Sequence, residues 1–365
     1  MSIRARVAKA THSLTRSTER TAASPLEAAD RLVQHGQFDE AIDLLTDANR
    51  RTRNPEFEQQ LISLRHEAFR HRHHGAPRTV PEPAQDPFPE VAGTPPEIQL
   101  DELSSGLLRG AVMHHGCLIV RDFIPDWRCR QLREDTESAL DAARRSADPD
   151  SEPNDFYVPF PGLDAFDRPW VNDHGTLYAA DSPPTFFDLV DTFNDARLGP
   201  LFTEYFGERT ALSVQKCAVR KVTASTAPEV VTPKGKKVRF SMWHQDGEFL
   251  GRDTRAINVW ITFSDAGVDA PGIDIVPKRL DHIVETGTDN AGIDWCVGEE
   301  MVQRVAGSTP PVRPVFHAGD ALFFDEMLLH ATGKSADMTK DRVGSEAWFI
   351  AESSYPPEKW VPLAF

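Results

Sequence analysis

Residues 240–247 read Phe240-Ser241-Met242-Trp243-His244-Gln245-Asp246-Gly247. Apolar residues lead into a histidine, and a carboxylate follows it two positions later. In an extended strand, residues i and i+2 point to the same face. A strand over Val238–His244 therefore aims His244 and Asp246 at one point, where an imidazole and a carboxylate can share a metal ion. A lone H-x-D pair is a weak signal, so its weight depends on what lies around it.

Outward from this stretch the text is strand-like. Short apolar runs at Ala211–Val222, Ala256–Phe263, Ile273–Val276, Ala321–Phe324 and Glu346–Ala351 alternate with Gly, Pro and Asp turns, the texture of an all-β barrel or sandwich. A histidine on a distant strand is needed to complete the set, and His330 fits. It follows Phe316-His317-Ala318-Gly319-Asp320-Ala321-Leu322-Phe323-Phe324-Asp325, a turn leading into an apolar strand. Two histidines and one carboxylate form the facial set of non-haem Fe(II) oxygenases, which leaves iron positions open for other ligands. Arg342 lies a short way beyond His330. A buried arginine can clamp the far carboxylate of a chelating 2-oxo acid in a bidentate fork.

Before these strands come helices: one over Leu100–Arg109, then the apolar strand Gly116-Cys117-Leu118-Ile119-Val120, then a long polar helix over Asp126–Ser146. Helices first and strands later make residues 98–365 α+β in layout. Residues 76–97 hold seven prolines in 22 positions and read as a semi-rigid linker. Residues 24–75 read as a small helical segment of three helices. Ser24, Pro25 and Glu27 form a start signal, Gly36 a stop, and Asn54-Pro55 opens the third helix. Residues 1–23 read as a flexible basic arm. His71, His73 and His74 read as a solvated helix end.

Hydrophobic residues make up 40% of the 365 and charged residues 26%, which fits a globular protein and excludes wholesale disorder. No run reaches the roughly 18 apolar residues of a membrane span. Cys117, Cys129, Cys217 and Cys296 lie far apart, as reduced thiols of a cytoplasmic protein do. The net charge of −16 argues against nucleic acid as a partner. Residues 1–97 are nearly neutral, with 13 basic and 14 acidic side chains, so the charge belongs to the C-terminal domain.

With Trp243-His244-Gln245-Asp246-Gly247, Gly272-Ile273-Asp274-Ile275-Val276-Pro277, Gly319-Asp320-Ala321-Leu322-Phe323-Phe324, His330 and Arg342 on the page, residues 98–365 resemble the phytanoyl-CoA dioxygenase-like family of Fe(II)/2-oxoglutarate-dependent oxygenases. The resemblance implies a double-stranded β-helix (jelly roll) with flanking helices, and Fe(II), 2-oxoglutarate and O2 as cofactor and co-substrates. It implies His244, Asp246 and His330 as iron ligands and Arg342 on the 2-oxoglutarate C5 carboxylate. Trp260 and Thr332 match positions that line the co-substrate in the family; a core Trp and an exposed Thr are the plain alternatives. Where the family often has Pro-Gly-Ser-His, this chain has Pro277-Lys278-Arg279-Leu280-Asp281-His282, so no coenzyme A thioester is implied. Asp246 stands where halogenases of the superfamily carry Gly or Ala, which points to hydroxylation. The segment His35-Gly36-Gln37-Phe38-Asp39-Glu40-Ala41 resembles the turn of one tetratricopeptide repeat.

The expected activity is hydroxylation of a small metabolite or natural-product intermediate by an Fe(II)/2-oxoglutarate-dependent dioxygenase, with release of succinate and CO2. The competing readings are a catalytically silent jelly roll whose helical segment binds a partner, and a cupin-type metal protein, which typically shows H-x-H. Lys216–Arg239 carries seven basic residues and one acid, Glu229, either a funnel for an anionic substrate or a solvated hairpin tip. Residues 151–180, rich in aromatic and polar side chains, read as a lid or a packed insertion. Asp325 and Glu326 read as either inward, facing substrate, or outward in a turn. The amphipathic helices of residues 24–72 need a surface to cover: their own domain, a carrier protein or, preferentially, a second subunit in a homodimer, reached across a linker spanning roughly 70 Å.

Overall fold

The structure is a computed structural model that describes residues 23–72, 85–148, 150–161, 163, 168, 174–224, 229–231, 237–239, 242–251, 253–287, 291 and 294–365. The basic arm up to residue 22, residues 76–84 of the proline-rich stretch, His73, His74, Lys234 and Lys236 lie outside the described residues. Among those described, no helix is long and apolar enough to cross a membrane.

The chain opens with helices α1 (Pro25–Gln34), α2 (Phe38–Arg51) and α3 (Pro55–His71). The Ser24 hydroxyl accepts from the Glu27 amide at 3.2 Å and the Glu27 carboxylate accepts from the Ser24 amide at 3.0 Å, so the capping box satisfies two otherwise unpaired donors. Asn54 caps α3 through the Glu56 amide. The remaining elements are β1 (Glu97–Gln99), α4 (Ser105–His115), β2 (Cys117–Arg121), α5 (Asp126–Arg145), β3 (Thr176–Tyr178), α6 (Pro183–Asp195), α7 (Leu198–Phe206), β4 (Thr210–Ser213), β5 (Cys217–Val222), β6 (Glu229–Val231), β7 (Lys237–Arg239), α8 (Gly247–Leu250), β8 (Ala256–Thr262), β9 (Gly272–Ile275), α9 (Glu299–Ala306), β10 (Ala321–Asp325), β11 (His330–Gly333), β12 (Arg342–Ala351) and β13 (Pro362–Ala364).

Nine strands make the large sheet, in the order β1-β2-β10-β8-β12-β4-β13 with β5 beside β12 and β3 beside β5. The small sheet pairs β11 with β9 and is widened by single bridges, His244 to His330, Trp243 to Val297 and Ile275 to Val312. Strand alternation sorts the large sheet's side chains. Phe323, Val259, Ile261 and Phe349 go to one face and pack with Leu108, Leu132, Phe193 and Phe202 of the helices. Phe324, Leu322, Trp260 and Trp348 go to the other face and pack with Ile273 and Ile275 of the small sheet. This is the α+β jelly roll with flanking helices that the sequence implied.

Several expectations need correction. The helix expected over Leu100–Arg109 is a 3-10 turn at Leu100–Glu102 followed by α4, because Ser104 caps the later start through Leu107 N. Helices α6 and α7 were not anticipated, although Ser182-Pro183-Pro184 carries a helix-start signal. The described end of the linker is no free spacer. Phe88 packs on the core, Asp86 meets His115 at 2.9 Å, and β1 pairs with β2.

The apolar faces of the N-terminal helices are covered from within the chain, one of the surfaces expected for them. Leu45, Leu64 and Phe69 share a core with Tyr355 and Ala364. Strand β13 ends the large sheet, and an open edge exposes carbonyls; here Arg65 Nη1 donates to Ala364 O at 2.9 Å and the His66 ring approaches Pro362 O at 2.9 Å. Arg50 pairs with Asp191 at 2.6 Å, Arg53 with Asp188 at 2.7 Å and Arg72 with Glu352 at 2.6 Å.

Candidate metal and co-substrate centre

His244 and His330 lock to each other through two backbone hydrogen bonds, His244 N to His330 O at 2.9 Å and the reverse at 3.0 Å. Of the strand expected over Val238–His244, Phe240 and Ser241 lie outside the described residues; among those described, β7 covers Lys237–Arg239 and His244 makes a single bridge. Asp246 is αR (φ −66°, ψ −22°) and starts α8. A turn, rather than pleat alternation, brings the two side chains together. Gly247 N donates to Glu326 O at 2.9 Å, and a Cβ there would meet Ile283 Cδ1 at 2.8 Å and Glu326 O at 3.1 Å, so a larger residue would have to displace the Ile283 side chain.

The side chain between the two residues holds the turn. Gln245 Nε2 donates to His282 O (3.0 Å) and Met327 O (2.8 Å), and its Oε1 accepts from Val284 N (2.7 Å). These bonds replace a strand ladder. Sequence reading passed over Gln245, since nothing local distinguishes it from any polar spacer.

His244 Nε2 lies 3.3 Å from Asp246 Oδ1, and His330 Nε2 lies 3.9 Å from Asp246 Oδ2. One ligand atom from each residue falls within 4.8 Å of the other two. The Nδ1 of His244 meets Met242 O at 2.7 Å and that of His330 meets Leu328 O at 3.0 Å. An Nδ1–H bonded to a carbonyl leaves the Nε2 lone pair free for the shared point, the arrangement metal-binding histidines use. Burial alone would raise the Asp246 carboxyl, but the charges of His330, His244 and Lys216 outweigh it and hold it below its ordinary range. Burial, with the neighbouring His244 charge, pushes His330 down to about 4. Burial also pulls His244 down, but its hydrogen bond to Asp246 and the carboxylate's charge leave it above its ordinary value. An anionic carboxylate beside a neutral imidazole is the protonation that a cation requires.

Arg342, at the start of β12, is buried; its Nη1 donates to Gly272 O at 3.0 Å. Its Nε has no hydrogen-bond partner among the described residues. Burial, then the charge of Arg220, pushes its pKa down to about 9 against the pull of Glu346. A buried guanidinium with an idle donor is stabilised by a carboxylate brought to it. Its carbon sits 4.9 Å from the Trp260 ring centroid, so Trp260 underlies Arg342 while also packing on Phe316. Thr332 is part-buried on β11 two positions after His330, hence on the same face. The residues present therefore fit both groups: two imidazoles and a carboxylate for Fe(II), a partly idle arginine for an oxo diacid.

The other candidates are placed as follows. Arg168 is buried on Asp181 at 2.6 Å and donates to Phe160 O, which ties this part of residues 151–180 to the domain; Trp170 and Asn172 lie outside the described residues. Asp325 is buried and paired with Arg279 at 2.9 Å, while Glu326 accepts from Ala256 N. Lys278 donates to Val305 O at the end of α9. The charges of the 277–282 loop thus serve structure in large part. All four cysteines are buried thiols outside any disulfide.

Residues 113–340 match the phytanoyl-CoA dioxygenase family. The chain belongs to that family. It is an Fe(II)/2-oxoglutarate-dependent oxygenase. Solved structures similar to it include EctD from S. alaskensis with 2-oxoglutarate and 5-hydroxyectoine, at 16% identity and TM-score 0.45 over 76% of this chain and 82% of that one. The non-heme alpha ketoglutarate dependent carbocyclase SnoK from nogalamycin biosynthesis is 12% identical with TM-score 0.44, over 70% and 87%. AviO1 from Streptomyces viridochromogenes Tue57 is 18% identical with TM-score 0.40, over 67% and 94%. No curated protein matches the chain.

Proposed function

We propose that the oxygenase hydroxylates a small organic molecule, with His244, Asp246 and His330 holding Fe(II) and Arg342 anchoring 2-oxoglutarate. The observation that carries this reading is the cluster of three ligand atoms within 4.8 Å, close to a buried arginine with an idle Nε. When bound, iron and 2-oxoglutarate supply the oxidising power that places one oxygen atom of O2 in the substrate and the other in succinate, with loss of CO2. The chain's own residues do the positioning. The Nδ1 contacts of His244 and His330 fix both tautomers. Arg342 offers its fork from above Trp260 and holds the acid's far end. Asp246 fills a coordination position with a carboxylate, which favours hydroxylation over halide transfer. The aromatic rings of Phe324, Trp295 and Phe249 around the two histidines exclude water, which strengthens every charge interaction inside.

Anaerobic titration with Fe(II) and then 2-oxoglutarate tests the reading through the metal-to-ligand charge-transfer band. Wild type is expected to develop the band at one iron per chain, and Arg342→Met to need at least about tenfold more 2-oxoglutarate, since breaking a buried charged pair costs about 2–5 kcal/mol. A wild-type chain that binds iron but never develops the band would sink the proposal.

A further inference from the structure

Lys216 closes a short 3-10 turn between β4 and β5. Its Nζ lies 4.0 Å from the centroid of the Phe249 ring and 4.4 Å from that of Trp360. Among the described residues no carboxylate lies within ion-pair distance of it. The ammonium sits over the Phe249 ring, which itself packs on His244 of the triad. Phe249 packs against His244 at 6.1 Å and Trp295 at 5.9 Å between ring centroids, and Trp295 against His244 at 5.3 Å. An aromatic wall thus runs from the metal ligands to the lysine.

Ring faces attract a cation, but they offer no lone pair to its N–H bonds. The indole N–H of Trp360, beside the same ammonium, is buried and has no acceptor among the described residues, and an idle buried donor carries a desolvation cost that a bound acceptor removes. Lys216 is part-buried, and its ammonium brings a positive charge to the same point. Arg220 Nη1 pairs with Glu346 at 3.2 Å, and Arg342 takes the co-substrate.

We propose that Lys216 and the Trp360 N–H receive the anionic group of the primary substrate, a carboxylate or phosphate joined to an apolar body that lies along Phe249 and Trp295 toward the triad. This rests on the reading of His244, Asp246, His330 and Arg342 as the iron and 2-oxoglutarate site. The substrate class is an amphipathic organic anion, oxidised at a carbon set back from its charged group by at least the width of one ring.

The full chain, loaded anaerobically with Fe(II) and 2-oxoglutarate, is titrated with 4-phenylbutyrate, phenethyl phosphate and 4-phenylbutylamine, reading perturbation of the charge-transfer band. At least one anion is expected to bind about tenfold or more tightly than the amine, the worth of one charge-assisted hydrogen bond. The better anion identifies carboxylate or phosphate. Lys216→Gln is expected to abolish the preference, Lys216→Arg to keep it and Trp360→Phe to weaken it, with 2-oxoglutarate affinity unaltered. If Lys216→Gln fails to load iron, Trp360→Phe decides. The proposal is overturned if wild type shows no preference for anion over amine, including binding of neither. It is overturned, with the iron site intact, if Lys216→Gln lowers 2-oxoglutarate affinity tenfold, because the lysine then belongs to the co-substrate. Absence of the band before any probe is added overturns the site reading and this proposal with it.

Discussion

In the large sheet, β8 is buried at all seven positions and is hydrogen-bonded along both sides, to β10 and β12. In the small sheet, β11 pairs with β9 over four residues and meets His244 through one bridge. The first sheet gains its stability from apolar side chains on both faces and a complete ladder. The second is held by side chains standing in for a ladder: Gln245 reaches three backbone groups, and Arg313 grips Asp274 and Ser335. The contrast has a physical origin. A strand that satisfies all its backbone groups with neighbours leaves no room for a turn that points two ligands at one place. The metal centre therefore occupies the less regular sheet, propped against the regular one.

Four substitutions probe this contrast. His244→Ala should have the largest effect, removing metal binding and turnover while the circular dichroism of the large sheet and its thermal transition persist. Joint loss of metal and fold would show that the two sheets form one cooperative unit. Phe323→Ala removes a fully buried ring from the helix-facing side of β10 and should cost about 3–5 kcal/mol in denaturant melts. The folded fraction should still take up one Fe(II). Gln245→Leu keeps the bulk and deletes three hydrogen bonds. Metal affinity should drop about 10–100-fold, the range seen when partners that orient ligands are lost, with little change in far-ultraviolet dichroism. An unaltered affinity would mean the turn is held by its backbone alone.

The smallest expected effect lies far from the iron. Burial, then the charge of Asp188, raises the Asp135 carboxyl to about 7. Its folded value exceeds its unfolded one, so folding takes up a proton between about pH 4 and pH 7. The stability it contributes is fully present at the acid end and falls as pH rises through 7. Asp135→Asn should flatten that part of the melting-temperature profile and leave iron affinity unchanged; an unchanged slope would place the titration elsewhere.

Much of this was legible in the order of residues alone. The capping box at Ser24 and Glu27, the long helix after Asp126 and the strands at 256, 273, 321 and 346 follow from short-range rules: caps, periodicity and β-branched runs act within a few residues. So does the chemistry of the candidate site, because imidazole, carboxylate and guanidinium are properties of His244, Asp246, His330 and Arg342 wherever the chain puts them. The tertiary structure alone decided how they meet. His244 and Asp246 converge through a turn pinned by contacts to residues 282, 284, 326 and 327, a set no local pattern encodes. It also decided that α3 covers the β13 edge, since an amphipathic helix records that it must bury a face without recording against what. And it placed Lys216 between Phe249 and Trp360, where a lysine that reads in sequence as one charge of a basic run becomes an ammonium held by rings from two distant segments.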